Sequence, residues 1–335
     1  MISSRSMVRG TGRSLESYRK RRLARNLTLA GAAVGVPLVA AALLRRRAEP
    51  PSPPRWGRAH RYAGRWSEVV FQELGSGPPL LLLHAFGPGY GHHHWRTAAE
   101  LLAANHCVYV PDLPGWGRTR NLSGARLQER YLTLIEDFLG GVVREKAVIV
   151  AAGLSAAYAV RAAADHPNRV RALALVGPLG LGECDAARPG GAVVSSLLHV
   201  PGVSPLVLDL LTGRSALDHH LRREVYAAPE RVDAALLDHH YRNSHTPQSR
   251  AAFAAYLRGD LWLDVSEDLS ELRLPVWLAW GRQSKNPPED HADLRLRHLP
   301  QAQLEVFQGA GALPHAETPA LFARELERFL AGLPD

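Results

Sequence analysis

From about residue 65 onward, short apolar runs alternate with longer stretches in which apolar positions recur every three or four residues. The runs are Glu68–Leu74, Pro79–His84, Cys107–Asp112, Ala147–Ala152, Ala172–Val176, Val276–Gly281 and Leu304–Phe307. Between them, the helical period occupies residues around 94–104, 126–140, 156–166, 289–298 and 317–331. A run such as Leu80-Leu81-Leu82-Leu83 has no polar face. It therefore predicts a strand buried on both sides, as in a mostly parallel sheet covered by helices. Between 181 and 265 no strand pattern occurs, and helical stretches punctuated by Gly and Pro predict an insertion over one end of the sheet. The expected fold class is α/β, a mostly parallel doubly wound sheet with a helical cap. Residues 61–180 and 266–335 form its core and 181–265 its cap.

The N-terminal part has a different texture. Leu27 to Leu44 is 18 residues without a charge, bracketed by arginines. At roughly 1.5 Å per residue it is about as long as a bilayer's hydrocarbon is thick. It predicts a single transmembrane helix after a basic tail (1–26) and before a Pro-rich linker (45–60). More basic residues precede the run than follow it, which leans towards the N-terminus inside.

Charge then changes the picture of partners. The chain of 335 residues carries a net charge of +8, with 46% hydrophobic and 21% charged residues, as a folded globular protein does. Residues 1–47 hold eleven Lys/Arg and one acid, so the remainder sums to −2. The body has no electrostatic footprint for a phosphate backbone, and nucleic acid is excluded as its partner. Cys107 and Cys184 supply neither a disulfide framework nor a CxxC pair.

Candidate chemistry lies in the loops that end successive strands, where an open α/β sheet keeps its ligand site. These are His84-Ala85-Phe86-Gly87-Pro88-Gly89, Pro111-Asp112-Leu113-Pro114-Gly115-Trp116-Gly117 and Gly153-Leu154-Ser155-Ala156-Ala157. Near the C-terminus, Gly309-Ala310-Gly311-Ala312-Leu313-Pro314-His315-Ala316-Glu317 follows the last strand. Over residues 60–332 these four ordered motifs resemble the α/β-hydrolase superfamily.

That resemblance implies a nucleophile elbow of the G-x-S-x-G kind, with Ser155 as nucleophile and Ala157 in place of the final glycine. It implies an oxyanion hole from the backbone N–H groups of Phe86 and Ala156, with Ala85 replacing a usual glycine. It implies no cofactor. Two positions depart from the family's pattern. Ala312 stands where the base histidine is expected, and Ser284 where the acid is expected. A serine needs a base to take its proton, and His315, three residues on, is the substitute candidate. Glu183, Glu289, Asp290 and Asp293 are the acids within range.

The histidine groups His92-His93-His94, Asp218-His219-His220 and Asp238-His239-His240 read as surface and cap-rim residues. Adjacent histidines on a helix point in different directions, so no metal is expected. Two functional expectations follow. One is a membrane-anchored serine hydrolase acting on a small apolar ester or acyl substrate. The other is a catalytically silent relative that binds a ligand or partner at the membrane.

Overall fold

The computed structural model describes residues 56–120, 126–182 and 191–334, without the side chains of 293–295. The apolar run 27–44, residues 45–55 of the linker and Glu183 lie outside the described residues, and the expected linker ends earlier than 60 because Arg58 already begins the first strand. Among the described residues, no helix is long and apolar enough to cross a membrane.

Eight strands form one sheet: β1 (Arg58–Ala63), β2 (Glu68–Leu74), β3 (Pro79–Leu83), β4 (Cys107–Pro111), β5 (Ala147–Ala152), β6 (Val170–Val176), β7 (Val276–Gly281) and β8 (Gln303–Phe307). Their order is β1-β2-β4-β3-β5-β6-β7-β8. β1 and β2 pair antiparallel at one edge, and every pairing from β4 to β8 is parallel.

The period-two geometry of a strand explains the all-apolar runs. Leu81 and Leu83 point to one face with Ile149 and Ala151, and Leu80 and Leu82 to the other with Val148, Val150 and Ala152. The first face is covered by helices α2 (Leu127–Phe138) and α3 (Ser155–Asp165). The second is covered by α1 (Arg96–Leu102) and, at the C-terminus, α12 (Pro319–Ala331). β1 escapes the apolar-run pattern because Arg58-Ala59-His60-Arg61-Tyr62-Ala63 is an exposed edge strand.

Between β6 and β7 the described residues are helical. They form α4 (Gly191–Leu198), α5 (Ser204–Leu211), α6 (Arg214–His220), α7 (Ala234–Ser244), α8 (Pro247–Arg258) and α9 (Ser266–Glu271). α7 and α8 start as their sequences dictate. The Asp233 carboxylate accepts from Leu236 N–H and the Thr246 hydroxyl from Ser249 N–H, each satisfying a donor the first turn leaves free. After β7 come α10 (Asp290–His298) and, following β8, the single turn α11 (Pro314–Glu317).

Candidate active site

The turn after β5 sets the geometry. Gly153 lies in the left-handed region at φ +57°, between the last residue of β5 and the first turn of α3. This is the conformation an elbow imposes on the residue that presents the nucleophile, and it falls on glycine. A Cβ placed on Gly153 would stand 3.0 Å from the Ala85 Cβ, so the position faces the loop that follows β3.

Ser155 is therefore corrected as nucleophile. It begins α3 two residues later and is fully buried, and its hydroxyl donates to the His84 carbonyl at 2.6 Å. The matching string Gly-Leu-Ser-Ala-Ala is offset by two residues from the turn that would make a serine reactive.

The oxyanion assignment shifts with it. Ala156 is buried and its N–H donates to Gly153 O at 3.1 Å, so it is spent inside the helix. The N–H following the elbow belongs to Leu154. Leu154, Phe86 and Ala85 line one cavity of about 1050 Å³, together with Gly153 and Ala312. The Phe86 ring is stacked on Trp116 at 5.3 Å, which fixes the loop that carries its backbone N–H.

His315 does not reach this place either. Its imidazole stacks on Trp95 at 3.7 Å and meets Phe322 edge-on, among side chains covering the sheet face opposite α3. Neither of its ring nitrogens has a hydrogen-bond partner, and burial pushes its pKa down to about 3. No Ser155–His315 dyad forms.

Ser284 donates to the Pro287 carbonyl at 2.7 Å, and Glu289 pairs with Arg282 at 2.6 Å. Glu317 holds the Ala312 loop. Its two oxygens accept from Gly311 N–H at 2.6 Å and Ala227 N–H at 2.8 Å. The elbow conformation thus falls on Gly153, and neither Ser284 nor Ala312 offers a titratable side chain.

Most of the cavity's polar side chains come from the cap. His219 and His220 at the end of α6, and Glu224 one helical turn on, line it beside Leu211, Phe253 and Leu257. Burial lowers the His220 pKa to about 4, against the pull of Glu224. The ring is neutral at physiological pH and able to accept a proton.

Behind the loop lies a buried polar framework. Asp112 is fully buried and accepts from His92 N–H at 2.9 Å, His92 Nδ1 at 2.7 Å and Arg118 N–H at 2.9 Å. Burial opposes its charge, but His92 beside it overrides this and holds the carboxyl below its usual range. His84 completes the brace. Its Nε2 accepts from Leu113 N–H at 2.9 Å and its Nδ1 donates to Ala85 O at 2.8 Å.

Two of the histidine groups depart from the surface and cap-rim expectation, while His219 is exposed at the cap side of the cavity as expected. His92, His94 and His240 are buried. Nitrogens of His93, His94 and His240 all lie within 4.8 Å of one another, a convergence that the reading of separate surface histidines does not foresee. Spacing within α7 could not reveal this, because two donors come from the tight 3₁₀ turn His92–Trp95 and the third from α7.

With the geometry in hand, comparison with known proteins is informative. The family model described as "Alpha/beta hydrolase family" matches residues 80–325. The 2-hydroxy-6-oxo-6-phenylhexa-2,4-dienoate hydrolase of Burkholderia cepacia is 26% identical over 280 residues, covering 79% of this chain and 91% of its own. Among solved structures, the hydrolase of the same name from Rhodococcus superposes with a TM-score of 0.68 at 20% identity, covering 82% of this chain and 99% of its own. A membrane phospholipase A described as a bacterial virulence factor superposes at 0.67 with 18% identity, covering 96% and 98%.

Proposed function

This chain belongs to the alpha/beta hydrolase family, whose named relatives are hydrolases, and on that premise we propose that it hydrolyses a small, mostly apolar carbonyl compound with water, not serine, as nucleophile. The observation that carries this is the glycine at the elbow. Gly153 offers no side chain where a nucleophile would stand, while Phe86 and Leu154, whose backbone N–H groups are the oxyanion candidates, line the same cavity. Those donors suit the charge that develops on a carbonyl oxygen as a tetrahedral intermediate forms. His220 takes a proton from the attacking water. The hydroxide adds to the carbonyl carbon, and the imidazolium returns the proton to the leaving group. The apolar cap side chains around the cavity select a greasy acyl portion. Anchorage to a membrane through residues 27–44 belongs to the same proposal and rests on that run's length, lack of charge and flanking arginines.

A second reading is favoured by the weak basicity that burial gives His220. In it the same cavity holds a carbonyl ligand without turning it over. A series of p-nitrophenyl esters of increasing acyl length separates the two. The hydrolytic proposal predicts turnover above a heat-inactivated control that rises with acyl length and then falls once the cavity is filled. Calorimetric binding of the esters' ketone analogues without any ester turnover would replace it with the second reading. Absence of both binding and turnover would remove both.

A further inference from the structure

We infer that His93, His94 and His240 form a binding site for one divalent transition-metal ion of the zinc class. The Nε2 atoms of His93 and His94 lie 3.5 Å and 3.0 Å from His240 Nε2. Two imidazole nitrogens bound to one tetrahedral zinc at the usual ~2.0–2.1 Å stand about 3.3 Å apart, so the observed separations bracket that value. The third pair lies within the same 4.8 Å span, and a small rotation of the half-buried His93 ring closes it.

The proton arrangement fits. His240 Nδ1 donates to the Pro88 carbonyl at 2.9 Å, which puts the Nε2 lone pair towards the other two rings. This is the outer-shell support that metal-bound histidines ordinarily have. A single lone pair on His240 Nε2 cannot accept well from two N–H groups at once, whereas one cation satisfies three nitrogens together. Desolvation pushes all three imidazoles well towards the neutral form that a metal requires. The rings are also held in place. Tyr90 meets His94 edge-on at 4.5 Å, and His239 packs on His93 at 4.1 Å while its Nε2 bonds with the Asn243 amide at 3.0 Å.

Three imidazoles and a remaining coordination position, reached past His93, are the donor set of zinc sites that keep a place for water or a ligand. The ion would also tie the loop bearing Phe86 to the cap. That loop already approaches α7 so closely that a Cβ on Gly89 would sit 2.3 Å from the His240 carbonyl oxygen. The inference stands independently of the hydrolytic mechanism, since none of its residues acts in that proposal.

The test is zinc titration of chelator-stripped full-length protein against a chromogenic competitor. The site predicts one tightly bound zinc per chain. Affinity should fall in His93→Gln, His94→Gln and His240→Gln by more than the about 10–100-fold that outer-shell partners typically cost. His298→Gln, which removes an exposed histidine from α10, should leave it unchanged. Because His94 and His240 are buried, His93→Gln is the variant that decides if the others unfold. Cobalt(II) provides the second measurement, through visible ligand-field bands that vanish in His93→Gln. Lack of stoichiometric zinc binding, or equal affinity and unchanged cobalt bands in folded His93→Gln, would overturn the site.

Discussion

Lowering the pH from 7 to 5 is expected to remove about 4 kcal/mol of folding stability through His84 and His315 alone, and the other buried imidazoles add to that loss. Burial depresses the folded pKa of His84 to about 4 and of His315 to about 3. In the unfolded chain both return to about 6.5. Between these limits the unfolded state binds protons that the folded state refuses, so stability rises with pH and falls on acidification. At pH 5 each ring contributes about 2 kcal/mol to that loss, a large share of a typical domain's ~5–15 kcal/mol. Urea unfolding at the two pH values measures it. His315→Phe keeps an aromatic ring against Trp95 while removing the titrating group. It should therefore recover about 2 kcal/mol of the acid loss. Equal stability at both pH values, or an unchanged pH dependence in His315→Phe, would contradict the environment described for these rings.

His220→Gln is expected to lower kcat by about 10²–10⁴-fold, the range over which a positioned general base contributes, with KM changed little. Glutamine keeps polarity and approximate size but cannot carry the proton. The neutral imidazole required for catalysis is the dominant form from about pH 4 upward, so no fall of kcat towards the acid side is expected between pH 8 and 6. A kcat in His220→Gln equal to that of the unaltered chain would show that this ring does not move the proton.

Much of the fold can be read along the chain because the central strands β3, β5 and β7 are apolar and buried on both faces, and β6 is nearly so. Leu80–Leu83 and Val148–Ala152 have no alternative burial available to them. β1 is illegible for the opposite reason, since its charged edge residues carry no core pattern.

The site is legible in part. The loop from His84 and the cap-covered cavity lie where the strand ends place them, and Phe86 and Ala85 do border the elbow. The register of that elbow is not legible from Gly-Leu-Ser-Ala-Ala, because the string allows the sharp turn at either Gly153 or Ser155. Backbone geometry decides for Gly153, since glycine adopts the left-handed conformation without cost. His315 lies three residues from Ala312 in sequence, yet α11 turns its ring onto Trp95. The convergence of His93 and His94 on His240 joins residues nearly 150 positions apart, beyond any local spacing rule.

The central claim is that Ser155 is a buried helix residue and not a nucleophile. It is tested most directly by treating the folded protein with a fluorophosphonate probe and mapping any adduct by mass spectrometry. The account predicts no adduct at Ser155 and the same pattern in Ser155→Ala. A covalent adduct on Ser155 that disappears in Ser155→Ala would contradict it.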